Sequence, residues 1–245
     1  GSSVLAGGLL AELGNASQKA LIGQVISGAT VLALAHAEPQ SRYDLSHVCT
    51  TAQADDGQIV LNGTKTHVIN GAQAETLVVS ARENGAKDDE VGISLFLVPL
   101  AFEGVTCIGH HNVDDTSGAR IVFDNVRLAK SDRLGKAGNA FAALETATAC
   151  ATLAVCAEAV GAMEAAKVLT VQYLKERQQF GVPIGKFQAL QHRMVDVLIE
   201  IEQARSAVVN LAGNLEAERN IRERHVSATK NLIGRVGALV AEESI

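Results

Sequence analysis

The most informative segment is Arg177-Gln178-Gln179-Phe180-Gly181-Val182-Pro183-Ile184-Gly185-Lys186-Phe187-Gln188. It reads as a helix end, a Gly-Pro turn and a helix start. Arg177 would sit at a helix C-terminus, where the macrodipole favours a cation. Spacing alone therefore allows a capping arginine beside a packed phenylalanine. His110-His111 followed by Asp114-Asp115 offers side chains that bind metals. Adjacent side chains on a strand point to opposite faces, so the pair chelates poorly and reads as a surface loop. Gly135-Lys136-Ala137-Gly138-Asn139 is glycine-rich but lacks the spacing of a phosphate-binding loop. Cys49, Cys107, Cys150 and Cys156 share no CxxC spacing, which predicts free thiols in a reducing cytoplasm. Glu216-Ala217-Glu218-Arg219 and Arg222-Glu223-Arg224 read as a solvated helix face with i,i+3 and i,i+4 pairs.

The elements that must hold these residues change character near residue 135. Before it, short apolar runs alternate with turn signals: Ile59-Val60-Leu61, Asn62-Gly63, His67-Val68-Ile69, Asn70-Gly71, Leu77-Val78-Val79. Asn and Gly tolerate positive φ, so both Asn-Gly pairs predict tight turns. Ile93 to Val98 and Ile121-Val122-Phe123 add strands. About six or seven strands fit between residues 30 and 128. Nothing between them is long enough for a crossover helix, so the sheet should be largely antiparallel. Ahead of them, residues 5–28 read as one or two short helices, from Leu9, Leu10, Leu13, Leu21, Ile22, Val25 and Ile26. After residue 135, Phe187, Leu190, Met194, Val197, Ile201, Ala204, Val208, Leu211 and Leu215 alternate spacings of three and four, the seam of an antiparallel helix bundle. Ile221, Ala228, Leu232, Val236 and Leu239 begin a second stripe. A third helix lies between Ala137 and Gln179.

The predicted fold class is α+β. The end of a helical domain covers residues 1–29, a middle antiparallel β domain 30–134, and a helical bundle 135–245. Three helices seldom bury so wide a stripe, so a fourth, from further sequence or a partner chain, is implied. The sequence reads as truncated at both ends, and Gly1-Ser2-Ser3 as an expression remnant. Among 245 residues 47% are hydrophobic, yet there are six Phe, two Tyr and no Trp, so the core must come from Ala, Leu, Val and Ile. The net charge of −6 lies in residues 1–134, which carry 9 basic and 15 acidic residues. No basic stripe appears, which argues against nucleic-acid binding. Charged residues at 20% are slightly few, which hints at an oligomer that hides surface. From Thr146 to Ala166 the only charges are Glu158 and Glu164. A helix apolar all round is expected at the centre of a bundle, buried on all sides, rather than across a membrane.

Arg-x-x-Phe-Gly-x-Pro-Ile-x-x-Phe-Gln after a long helix resembles the C-terminal signature of the acyl-CoA dehydrogenase family. Three more segments follow the family's order. Ala35-His36-Ala37-Glu38-Pro39 with Asp44 is similar to its Thr-Glu-Pro-x-x-Gly-Ser-Asp segment. Leu61 to Gly71 is similar to its Asn-Gly-x-Lys-x-Trp-Ile-Thr-Asn-Gly segment, and Gly92 to Val98 to the strand that follows. The match runs from Leu9 onward. The wording from Glu38 to Asp44 most resembles small subunits of two-component enzymes such as pimeloyl-CoA dehydrogenase. The resemblance implies FAD-dependent α,β-dehydrogenation of an acyl-CoA thioester, with electrons passed to an electron-transfer flavoprotein. It also implies a homo- or hetero-oligomer, a tetramer by expectation, with a large acyl-CoA dehydrogenase subunit as a candidate partner.

Residue by residue, the resemblance implies that Arg177 reaches the FAD diphosphate of a neighbouring subunit, with Phe180 and Gln188 as further contacts. A guanidinium fork suits phosphate oxygens. Leu34, His36 and Ala37 fall where the family lays backbone against the isoalloxazine ring. His67 replaces the flavin-side Trp, although a packed ring on a strand explains it equally. Ile69 replaces the Thr that hydrogen-bonds flavin N5, and Ala37 the Thr before Glu-Pro. Each lost hydroxyl is worth about 1 kcal/mol, so diphosphate and backbone contacts can still hold FAD. Arg42-Tyr43 replace Gly-Ser, whose Ser approaches the acyl-CoA, and Arg42 is a candidate for an acidic acyl group. The base is expected shortly beyond Ile245. On the first long helix the alternative position is Ala151, and Thr152 stands where the family has a substrate-side Arg. Glu158 is two turns further, about 10 Å by helical rise. As a carboxylate in an apolar stretch it is a candidate base, against pairing with a neighbouring helix. The implied function is thus a catalytic subunit or a structural one that completes the FAD site of a heteromer.

Overall fold

The computed structural model describes residues 2–245, which divide into two compact units, one reaching to Thr148 and the other running from Ala149 to Ile245. In the first unit a π-helical turn (Ser2–Gly7) leads into α1 (Gly8–Leu13) and α2 (Ala16–Ile26). Asn15 starts α2 with a capping box. Its Oδ1 accepts from the Gln18 amide at 3.0 Å, while Gln18 Oε1 accepts from the Asn15 amide at 2.9 Å. Ser2 Oγ accepts from the Leu32 amide at 2.9 Å.

Strands β1 (Leu32–Ala35), β2 (Thr51–Asp55), β3 (Gln58–Ile69), β4 (Thr76–Arg82), β5 (Ile93–Pro99), β6 (Val105–His111), β7 (Ser117–Leu128) and β8 (Arg133–Leu134) form one sheet. Its order is β6-β7-β3-β2-β4-β5-β8, with β1 also on β4. Most pairings are antiparallel, as expected. The exceptions are β1 and one residue of β2, which run parallel to β4. No crossover helix is needed, because β2 and β3 themselves make the connection. Ala35 pairs with Val79 and Thr51 with Arg82, so residues 36–50 leave the sheet between two contacts with β4. Alternation along β4 buries both faces. Leu77, Val79 and Ala81 pack with Phe96 and Ile121, whereas Val78 packs with Leu9, Leu10 and Leu95.

One predicted turn is wrong. β3 passes unbroken through Asn62-Gly63, with a register slip between Leu61 and Gly63 that marks a β-bulge. A Cβ on Gly63 would stand 2.4 Å from Thr50 Oγ1 and 2.7 Å from Thr50 Cα, so glycine is there for close approach. Asn70-Gly71 does turn, with Asn70 at φ 59.

The second unit holds most of α3 (Phe141–Glu176), the hairpin β9 (Gln178–Gln179) and β10 (Val182–Pro183), then α4 (Gln188–Gly213) and α5 (Arg219–Glu243). On α4 the expected seam is buried at Val197, Ile201, Ala204 and Leu211. On α5 the buried stripe is Thr229, Ile233, Val236 and Val240, so of the expected positions Val236 alone is buried. Thr229 disguises the stripe because its hydroxyl is satisfied by Ala207 O at 3.2 Å. The expectation for α3 also fails. By length and composition it is apolar enough to cross a membrane, with a mean hydropathy of 1.4 over 18 residues. Its stripe Cys156, Val160 and Met163 packs with α4 and α5, while Val155, Val168, Leu169 and Tyr173 stay more than half exposed.

Candidate functional site

Lys65 points from β3 into the interior of the first unit and is fully buried. A buried ammonium is costly unless its donors are met. Nζ donates to Glu38 Oε1 at 2.8 Å, to Ser80 Oγ at 3.0 Å and to the His36 carbonyl at 3.1 Å. Glu38 is equally occupied. Its Oε1 accepts from the Thr50 amide at 2.9 Å, and Oε2 from the Cys49 amide at 2.8 Å and Gln40 Nε2 at 3.0 Å. Burial pushes the Lys65 ammonium down to about 8, against the pull of Glu38. Burial works to raise the Glu38 carboxyl, but the Lys65 charge and the hydrogen bonds prevail and hold it below the usual carboxylate range.

The same network fixes a histidine. His36 Nδ1 lies 2.9 Å from Ser80 Oγ. Ser80 is buried and Lys65 Nζ can only donate to it, so Nδ1 is the acceptor among the described residues that satisfies the hydroxyl proton. Hydrogen-bond logic then assigns the His36 proton to Nε2. Burial, then the nearby Lys65 charge, push the imidazole down to about 3, with Glu38 opposing. Nε2 has no partner among the described residues and is not a sealed orphan, so this N–H opens to the surface.

These contacts bring several sequence-predicted residues together. The Ala37 carbonyl accepts from the Thr66 amide at 2.8 Å, which lays Leu34 to Glu38 beside Thr66-His67. His67 and Ile69 are exposed and flank buried Val68. His67 adopts φ 51 in the irregular stretch between Lys65 and Val68, a conformation uncommon for residues other than glycine. Its ring tilts against His110 at 5.7 Å and, with Ile69, lines an open cleft of about 720 Å³. One side of the His67 ring thus packs on His110 and the other is open. Arg42 (φ 52) and Tyr43 are exposed on the turn beyond, without side-chain hydrogen bonds among the described residues. His111 stands 3.4 Å from Asp115 on an exposed hairpin, and His110 faces His67 instead.

The second unit presents a different corner. β9 and β10 pair through Gln179 and Val182, leaving Phe180-Gly181 as a two-residue turn. Their φ values, 55 and 77, are those of a type I′ hairpin. Glycine takes that conformation freely, whereas Phe180 carries about 1 kcal/mol of strain. Its ring is 90% exposed and meets Phe187 edge-on at 6.1 Å, so it is not the packed residue that spacing allowed. The Arg177 backbone is committed to Tyr173 O and the Ile184 amide, each at 2.8 Å. Its guanidinium has no partner among the described residues, so it caps no carbonyl. Gln188 is exposed at the first residue of α4, whose N-cap Phe187 gives no side-chain cap. A helix N-terminus offers amide donors and partial positive charge to oxyanions. The Ile184 amide ties the Arg177 backbone to the turn that leads into α4, next to the Phe180–Phe187 ring pair.

Elsewhere on α3, Thr152 is half-buried and Glu158 is exposed. The desolvation that a poised Glu158 base would need is absent. Sequence reading missed Ser80, which a hydroxyl inside the otherwise apolar run from Leu77 to Ala81 could have signalled.

Two family models match the chain: acyl-CoA dehydrogenase, middle domain, over residues 33–126, and acyl-CoA dehydrogenase, C-terminal domain, over 140–245. The mitochondrial short-chain specific acyl-CoA dehydrogenase of Sus scrofa is 32% identical over 202 residues, covering 81% of this chain and 49% of that protein. The 3-(aryl)acrylate reductase of Clostridium sporogenes is 31% identical over 198 residues, 78% of this chain and 52% of its own. The butyryl-CoA dehydrogenase of Megasphaera elsdenii superposes with a TM-score of 0.90 at 25% identity, covering 99% of this chain and 64% of that one. The chain spans about half the length of the curated relatives it matches. Both matched domains and the shared fold lead to one conclusion: the chain belongs to the acyl-CoA dehydrogenase family.

Proposed function

We propose that the chain is a subunit of an FAD-dependent enzyme that dehydrogenates an acyl-CoA thioester between Cα and Cβ and hands electrons to an electron-transfer flavoprotein. The observation that carries this reading is the corner around Arg177. The Arg177 guanidinium is unpaired among the described residues and the α4 terminus has no side-chain cap, two donor groups that suit the diphosphate of FAD, with the strained and exposed Phe180 nearby in sequence. The donor set of the first unit also fits. Leu34, His36 and Ala37 form a segment held rigid by Lys65 and Glu38, and His36 offers a fixed Nε2–H beside it. Ala37, Ile69 and the open side of His67 complete the face proposed for the flavin ring. FAD, when bound, supplies the acceptor for the hydride leaving Cβ. The α-proton is assigned to a carboxylate expected past Ile245.

In this reading the subunit assembles as a tetramer, and the exposed stripe of Val155, Val168, Leu169 and Tyr173 is covered by a neighbouring helix. Arg42 and Tyr43 stand at the substrate mouth, and Arg42 suits an acyl part that carries an acidic group. Arg42→Ala should then reduce the preference for acidic over neutral acyl-CoA, and an unchanged preference refutes that role.

Ala151, Thr152 and exposed Glu158 favour a second reading, in which the chain completes the FAD site of a large acyl-CoA dehydrogenase subunit and runs no chemistry. The chain should be purified alone and with a co-expressed homologue, and flavin absorbance followed on adding acyl-CoA. A yellow protein bleached by acyl-CoA supports the first reading. Bleaching by the chain alone removes the second, and bleaching that needs the homologue selects it. Colourless protein in both preparations overturns both.

A further inference from the structure

Cys49, His47 and Asp88 meet on the surface of the first unit. Cys49 Sγ lies 3.5 Å from His47 Nε2, and His47 Nδ1 lies 2.5 Å from Asp88 Oδ1. The carboxylate can only accept, so it takes the Nδ1 proton and leaves the Nε2 lone pair facing the thiol. Nucleophile, base and orienting acid thus stand in sequence. The thiol is exposed, while the imidazole side chain is only 13% exposed.

A buried side chain builds this arrangement. The Arg82 guanidinium donates to Ser46 O at 2.8 Å and Val48 O at 3.0 Å, the carbonyls on either side of His47. It also donates to Lys87 O at 3.0 Å and Asp89 O at 2.9 Å, on either side of Asp88. The Val48 amide ties the two segments directly, donating to Lys87 O at 2.9 Å. Base and orienting acid are therefore held by residues that play no part in the chemistry.

The surroundings select the electrophile. Attack on a thioester or peptide carbonyl creates an oxyanion, which needs amide donors aimed at it. The nearest candidates, the amides of Cys49 and Thr50, already donate to Glu38. Attack on a disulfide sulfur creates no oxyanion, because the charge departs on the leaving thiolate.

We propose that Cys49 is a thiol–disulfide exchange site for small-molecule disulfides of the glutathione type. Cys49 Sγ forms a bond to one sulfur as its proton passes to His47 Nε2. The original S–S bond breaks, and the second sulfur leaves with the proton from His47 as a free thiol. Cys49 is oxidised to a mixed disulfide, and the small disulfide is reduced to one thiol.

The test incubates the intact chain with oxidised glutathione and follows each cysteine by peptide mass spectrometry. Cys49 should react at least about 10-fold faster than Cys107 or Cys150. His47→Gln should slow it about 10-fold or more, the scale of general-base assistance. Asp88→Asn, at an exposed position, should slow it less without touching the fold, as circular dichroism would report. Equal rates at the three thiols, or one Cys49 rate in wild type and both variants, overturns the proposal. Acyl transfer from acetyl-CoA to Cys49 at a rate matching glutathionylation overturns the disulfide assignment.

Discussion

Lys65 in the first unit and Arg177 in the second are cations that the chain treats in opposite ways. Lys65 is buried, with its donors bound to Glu38, Ser80 and the His36 carbonyl. Arg177 is exposed, and its guanidinium binds nothing among the described residues. In the first unit charge holds a backbone segment in shape. In the second unit charge, aromatic surface and local strain are left open. A satisfied polar network explains itself through stability, whereas an unsatisfied and strained corner points to a ligand.

That contrast breaks if the two cations prove interchangeable. Lys65→Met leaves the Glu38 carboxylate buried without its counter-ion and should cost about 3–5 kcal/mol in urea unfolding. Arg177→Gln should stay within about 0.5 kcal/mol of wild type in the same measurement. Its effect should fall on the cofactor instead, weakening FAD binding by about 1.5–3 kcal/mol in a fluorescence titration.

Acid sharpens the contrast from the side of the first unit. Unfolded His36 protonates near 6.5, while the folded ring stays neutral down to about 3. The unfolded chain holds more protons in that window. The His36 contribution to stability is therefore full above about 6.5 and is lost as pH falls, by up to about 1.4 kcal/mol per pH unit. His36→Leu should flatten this limb, measured as unfolding midpoint against pH. The smallest effect has the opposite sign. Phe180→Gly removes left-handed strain and should stabilise the protein by about 1 kcal/mol in thermal unfolding while weakening FAD binding. A loss of stability would show that the ring packs for the fold.

The sequence exposed patterns better than it exposed reasons. The α4 seam was legible because four apolar residues recur at helical spacing with no polar intruder. The α5 stripe was displaced because Thr229 hides a core position behind a satisfied hydroxyl. Asn62-Gly63 carried a turn signal, but that glycine answers to Thr50, which packs against it from just ahead of β2. Apolar composition suggested burial around all of α3, yet composition does not say which chain covers a face. At the candidate site, motifs singled out Arg177, Phe180 and Gln188 within one short stretch of sequence. They could not show that Ser80, remote in sequence, sets the proton of His36.

The central claim is that Arg177 is kept open for a diphosphate. It is tested most directly by titrating the assembled protein with FAD and with riboflavin, which has no diphosphate, for wild type and Arg177→Gln. The account predicts that wild type favours FAD by about 10-fold or more and that the variant loses most of this preference while riboflavin binding is unchanged. An equal preference for FAD in both proteins would contradict it.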